Sequence, residues 1–337
     1  MFSCSKDNQD VLEVIQPDSG QEELLSKMKE ASNVIAQFAN NGEVKKELDE
    51  MIKMKMYNDD FVYFKDLFNP SSNENLKSSF VSKTNFERCY DNVVNINNEK
   101  SGEIDDLKDF LVSNNLVLYI PYPIEMYPED KRIPTISFHP LISDSENKGV
   151  KAILENGNFK GYDEVMVDDS YALNNYCFLI IPAEKLDGEG FINEQKSTKI
   201  DNNCELSSNY HYEIRIKHAR CLKQYDNLFS GGSEIYFGNG EPIIEGGHVK
   251  APPKGFSHFF SRADIRNEKF HDVNTLYIAD WGEDKTQVVM FVYEDDGEGS
   301  VKVGGTAKIT HSTQLADTTS SVKTNNGWET SCSFEAT

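Results

Sequence analysis

The chain has 337 residues, 38% of them hydrophobic and 11% aromatic, enough for real cores and for two or three domains. Lys and Arg number 34 against 56 Asp and Glu, a formal net charge of −22, which repels phosphate backbones and argues against a nucleic-acid partner. The same charge repels anionic lipid surfaces unless a cation intervenes, and no apolar run approaches the roughly 20 residues of a membrane-spanning helix.

Residues 5–20 are polar and include Pro17, Asp18, Ser19 and Gly20, the composition of a flexible tether. From 21 to 39, Leu24, Met28, Ala31, Ile35 and Phe38 recur at steps of four and three, one face of an amphipathic helix that Asn40-Asn41-Gly42 ends. Val44, Leu48, Met51 and Ile52 form a second stripe. Asp59 and Asp60 are placed to cap a third, short helix through Phe61, Phe64, Leu67 and Phe68, stopped by Asn69-Pro70. Stripes of this kind mark helices packing on one another, or less often a surface for a partner. Residues 71–110 are rich in Asn and Ser, with helical signals near 75–81 and 104–112.

The pattern then changes to strands. Residues 116–121 and 134–138, with shorter runs at 150–154 and 164–167, read as strands, and the apolar run 176–182 reads as a buried strand bounded by Pro182. A Gly-, Asp- and Asn-rich stretch from 187 to about 209 marks a domain boundary. Residues 210–217 alternate Tyr212, Ile214 and Ile216 with polar residues, a half-buried strand. Strands at 234–237, 275–278, 287–293, 300–303 and 306–311 follow at the spacing of a β-sandwich. The fold class expected is therefore α+β, with a helical N-terminal region, a small mixed α/β middle and a C-terminal antiparallel β-sandwich.

Met1-Phe2-Ser3-Cys4, followed by a polar acidic stretch, resembles the lipid-attachment site of bacterial lipoproteins, in which a small residue precedes the acylated cysteine. The resemblance implies acylation at Cys4, anchorage in the outer membrane, and residues before Cys4 left from a signal peptide or a shortened gene start. Tyr57-Asn58-Asp59-Asp60, Ile120-Pro121-Tyr122-Pro123 and Phe178 to Pro182 followed by Glu184 resemble uncharacterised lipoproteins of Bacteroidetes, which brings no chemistry with it. On these readings residues 1–20 are lipidation site and tether, 21–190 a helical plus α+β domain, and 205–337 the sandwich. Of the six cysteines, Cys4, Cys89, Cys177, Cys204, Cys221 and Cys332, none has zinc-ligand spacing. With Cys4 acylated, five remain, at most two disulfides form, and Cys177 reads as a small buried hydrophobe.

Residues 219–226, continuing to Gly231-Gly232-Ser233-Glu234-Ile235-Tyr236-Phe237, and residues 292–300, ending at Gly304, resemble the paired loops of the calcium-dependent lipid-binding β-sandwich of synaptotagmin and protein kinase C. The resemblance implies a Ca²⁺ site formed by Asp226, Glu234, Glu294 and Asp296, all oxygen ligands as a hard ion requires. Ile235 stands where that family has proline, Glu replaces Asp at two positions, and Ser300 falls near a missing carboxylate. The alternative for residues 294–299 is a solvated acidic hairpin turn.

Gly231-Gly232-Ser233 lacks the spacing and Lys-Ser/Thr ending of a phosphate loop. There is no HExxH and no G-x-S-x-G; His248, His258 and His271 fall in one Gly/Pro-containing stretch where convergence is open. The reading is a lipid-anchored, non-enzymatic envelope or surface protein that binds a protein partner, with Ca²⁺ stabilising its loops. The alternatives are a hydrolase of extracellular polymer with two carboxylates 5–10 Å apart, roughly, and a glycan-binding module using Trp281, Trp328, Tyr225, Tyr236, Phe259 and Phe260.

Overall fold

The two apolar stripes at the start of the chain form helices, as expected. Ser19–Ala36 is α1, with Met28, Ala31 and Ile35 fully buried, and Gly42–Lys53 is α2, with Val44, Leu48 and Met51 in the core. Asn41 starts α2 by accepting the Glu43 N–H at 2.9 Å and the Val44 N–H at 3.4 Å. The computed structural model describes residues 19–73, 83–101, 107–141, 146–186, 212–240, 243–245, 248–250, 254–281, 289–294, 318–323 and 329–334. The expected tether, the helical signal at 75–81, the boundary at 187–209 and the strands at 300–303 and 306–311 lie mostly or wholly outside these residues.

The expected third helix divides. Phe61–Tyr63 is a buried strand, β1, and only Phe64–Phe68 is helical, as α3. Three consecutive large apolar side chains, all buried, suit a strand inside the core better than a helix with one exposed face. Asn85–Ser101 is a long helix, α4, where the Asn-rich composition gave no expectation of one. Its start carries a Thr84-x-x-Glu87 capping signature: the Thr84 hydroxyl accepts the Glu87 N–H at 2.9 Å, and Phe86, Tyr90 and Val94 bury one face. Glu47 of α2, itself buried, accepts the Asn85 and Phe86 N–H groups at 2.8 and 2.9 Å and fixes α4 to α2. Leu107–Ser113 is α5.

A six-stranded sheet forms the second layer. It contains Leu116–Tyr119 (β2), Thr135–Phe138 (β3), Glu146–Glu155 (β4), Asn158–Asp168 (β5) and Cys177–Pro182 (β6), with Asp169–Asn174 (α6) between the last two. The order is β1-β2-β6-β3-β4-β5, antiparallel except for the β3–β6 pair. All six residues of β6 are buried at the sheet centre, as its continuous apolar run requires. Strands β4 and β5 are longer than expected because Asn156 (φ 54) and Gly157 (φ 80) make a tight turn that extends their hairpin. The helices, the sheet and their aromatic side chains share one core, in which Phe38, Phe64 and Phe68 pack on Phe86 and Tyr90 packs on Phe68.

The C-terminal part is strand-rich and antiparallel throughout. Tyr212–Ala219 (β7), Ser233–Gly240 (β8), Ile243–Glu245 (β9), His248–Lys250 (β10), Lys254–Phe260 (β11), His271–Trp281 (β12), Val289–Glu294 (β13), Thr318–Lys323 (β14) and Glu329–Phe334 (β15) form three sheets, ordered β11-β8-β13, β12-β7-β15-β14 and β10-β9. Arg262–Arg266 is a short helix, α7. A second core draws on the two larger sheets: Ile216, Ile235, Phe237, Phe260, Val273 and Val292 are all buried in it. The chain is thus α+β, with seven α-helices among the described residues.

The loop between β7 and β8 belongs to both parts. Leu228 and Phe229 are fully buried in the N-terminal core, where Phe229 packs edge-on against His139 at 5.9 Å.

Candidate functional site

Among the described residues Arg262, at the start of α7, is the one buried Lys or Arg, 2% exposed. Ser261 caps that helix by accepting the Asp264 N–H at 3.3 Å, which aims Arg262 back toward the N-terminal part. The guanidinium donates through Nε to the Gly231 carbonyl at 2.8 Å, through Nη2 to the Asp226 carbonyl at 2.7 Å, and through Nη1 to the Asp169 carboxylate of α6 at 2.5 Å. Only the planar fork of arginine reaches three such acceptors at once. One cation therefore holds a loop of the C-terminal part against a helix of the N-terminal part.

Asp59 and Asp60 face the same junction, 4% and 5% exposed. They do not cap α3, whose N-cap position is Tyr63 with no side-chain cap bond. Asp59 accepts the Asp60 N–H at 2.7 Å on one oxygen and the Gly232 N–H at 2.9 Å on the other. Lys55 pairs with Asp60. Burial, and then the charge of Asp60, push the Asp59 carboxyl up to about 7. Burial likewise raises Asp60, opposed by Lys55. A Cβ at Gly232 would come within 2.2 Å of the Phe260 carbonyl oxygen, and Gly231 has φ 97, so this pair of glycines is what lets the loop approach.

His258 and His271 do converge. His258 Nε2 lies 3.0 Å from His271 Nδ1, and His271 Nε2 lies 3.0 Å from Asp264 Oδ2, a chain of three titratable groups along β11, β12 and α7. Burial, then the neighbouring His271, push His258 down to about 4. Burial works against the Asp264 charge, but hydrogen bonds from His271 and Lys269 hold its carboxyl well below the usual range.

The expected calcium residues fall as follows. Asp226 is half-buried in the β7–β8 loop and Glu294 is buried at the end of β13; both lie near Cys221, whose thiol is pushed up to about 11 by burial and further by their charges. Glu294 pairs with Ile235, which is buried, so it shares the core-facing side of the sheet. Glu234, one residue earlier on β8, faces the opposite side. The register thus turns Glu234 away from Glu294, while Asp226 and Glu294 both lie near Cys221. Asp296 and Cys4 lie outside the described residues, as does Trp328. Among the described residues, no group of three or more His, Cys, Asp or Glu side chains is arranged to hold a metal ion. Cys89, Cys177 and Cys221 are free thiols, and Cys177 is buried as expected. No helix among the described residues is long and apolar enough to cross a membrane.

Compared with known proteins, the chain matches no family model, no curated protein and no solved structure. Its reading therefore rests on its own residues. The junction is a point of cohesion: carbonyls, amides and carboxylates from α6, α7, the β7–β8 loop and the segment before β1 converge on each other. Arg262 gave no local signal in the sequence. Asp59-Asp60 did give one, but the same two letters equally spell a helix cap.

Proposed function

We propose that this chain is a lipid-anchored protein of the bacterial envelope, tethered through Cys4, that works by holding a protein partner rather than by turning over a substrate. What supports the binding role is the use made of Arg262: with Asp59, it is engaged in hydrogen bonds that fasten the N-terminal part to the loop before β8. Groups so fully occupied hold a surface in shape. The C-terminal sheets, which share one core, are proposed to face each other as a sandwich. Calcium enters this reading at the loop end, with Asp226 and Glu294 as the inner ligands, Asp296 completing the set, and Glu234 outside it unless the strand end rearranges.

The test takes the anchor first. In its own host, the protein is grown with an alkyne-tagged fatty acid and compared with Cys4→Ser. Label on the wild type alone, with Cys4→Ser released to the soluble fraction, is the expected result. An unlabelled wild type would overturn the anchored reading. The partner is then sought by crosslinking intact cells, and a crosslinked species abolished by Asp226→Ala with Asp296→Ala would place its binding on the loop end.

A further inference from the structure

The charges at the junction do not balance. Asp264 has its own partners in Lys269 and His271, each at 3.0 Å. That leaves Arg262 and Lys55 to serve three carboxylates, Asp59, Asp60 and Asp169. Lys55 is bonded to Asp60 and Arg262 to Asp169, so among the described residues Asp59 is the carboxylate of the three with no direct ion pair, and the Arg262 and Lys55 charges reach it only from beyond their own partners. It is also the one whose second oxygen takes an N–H from the opposite part of the molecule.

We propose that Asp59 is a proton-operated latch on the loop 226–232. The loop is held closed while Asp59 carries a proton, and opens more often once that proton is lost. The physical reason is desolvation. Closing the loop buries Asp59 beside Asp60 with both nearby cations bonded to other carboxylates, so a neutral carboxyl is buried at lower cost than a carboxylate. The neighbours act in both directions: burial and Asp60 favour the neutral acid, while the Asp60 and Gly232 N–H groups and the Arg262 charge favour the carboxylate without outweighing burial. Asp60 adds like charge from the same segment, and Lys55 of the α2 end is drawn toward Asp60. Arg262 and Asp264 come from α7, Ser261 bonds Asp60, and His271 faces Asp264. Tyr119 of β2 lies beside Asp59 and Arg262, and its buried hydroxyl has no hydrogen-bond partner among the described residues, so a protonated Asp59 has an acceptor to turn to. Gly232 N–H keeps one carboxyl oxygen as acceptor in either state.

The sign follows from linkage. A carboxyl raised in the closed state and ordinary in the open state makes closure take up a proton, so closure weakens as pH rises through the raised value. With a closed value near 7 against 3.8 when exposed to water, the opening equilibrium of the loop should grow about tenfold between about pH 6 and about pH 8.5. His258 and His271 pack on Phe260 of the C-terminal core and not on the loop 226–232, so their titration is expected not to offset this change.

The experiment is hydrogen–deuterium exchange of the intact protein at those two pH values, read by mass spectrometry on a peptide covering residues 226–233 and corrected for the intrinsic exchange rate. Roughly tenfold faster opening at the higher pH in the wild type, and a ratio near one in Asp59→Asn, supports the latch. An unchanged ratio in the wild type, or the full change persisting in Asp59→Asn, overturns it. Should Asp59→Asn fail to fold, carbon-13 NMR of the Asp59 carboxyl in the wild type decides: a midpoint near 7 supports the proposal, and one near 3.8 overturns it.

Discussion

Replacing Arg262 with methionine keeps an unbranched stem of similar shape and removes the guanidinium. In the native junction that group supplies the donors at 2.8 Å to Gly231 and 2.7 Å to Asp226, and the ion pair to Asp169. A buried acceptor left without its donor costs about 1–3 kcal/mol, and removing one partner of a buried charge pair costs about 3–5 kcal/mol. The terms overlap, since Asp169 is 45% exposed and rehydrates once released, so the Asp169 share is under about 1 kcal/mol. A net loss of about 4 kcal/mol is expected, or roughly 6 °C in Tm for a chain of this length melting as one unit. Arg262→Lys restores the charge but not the three-way fork and should recover no more than half. Urea unfolding is the assay, followed both by far-UV circular dichroism and by fluorescence of the two tryptophans, Trp281 and Trp328, which lie C-terminal to the junction. A methionine variant within about 1 kcal/mol of wild type would show that the guanidinium is not what holds the parts together.

Three further outcomes are expected. Gly232→Ala should cost about 1–3 kcal/mol because its Cβ meets the Phe260 carbonyl at 2.2 Å, whereas Gly42→Ala, with nothing within 4 Å, should be neutral or slightly stabilising; thermal melts of the pair distinguish crowding from a general intolerance of change. Glu47→Ala should cost about 1–2 kcal/mol by leaving the first amides of α4 without an acceptor, and a melt unchanged from wild type would refute that role. His258, lowered to about 4, is neutral in the folded protein, so its contribution is present above 6.5 and lost as pH falls from 6.5 through 4. His258→Gln should flatten the stability curve over that interval by about 2–3 kcal/mol; a curve that keeps its wild-type slope there would count against the His258–His271 contact.

Elements with a strong period were legible in the sequence because local pattern and burial agree in them. The α1 stripe and the continuous run of β6 are examples: each residue's burial follows from its neighbours in the chain. Two elements had signals of other kinds. The Thr84-x-x-Glu87 cap announces α4 despite its Asn-rich body, and Asn156-Gly157 announces the β4–β5 hairpin. The junction was not legible. Asp59 meets Gly232 across 173 positions, and no local pattern encodes a contact at that separation. The glycine pair drew notice as a phosphate cradle, whereas its role is to let backbone approach Asp59 and Phe260. The β8–β13 register, which separates Glu234 from Glu294, is likewise set by pairing between distant strands and not by the acidic residues themselves.

Leu228 and Phe229 bear on how the molecule is assembled. They arrive late in the chain yet complete a hydrophobic core built otherwise from residues 28–186. A ribosome therefore releases most of that core before its last two pieces exist. The N-terminal part, made alone, would contain a hole where two large apolar side chains should sit, and would tend to recruit substitutes from other molecules. Cutting the protein in the stretch 187–209 is therefore expected not to yield two self-sufficient halves. The smallest fragment expected to behave as a soluble, singly folded body extends past the β7–β8 loop, and the two parts should melt in one transition.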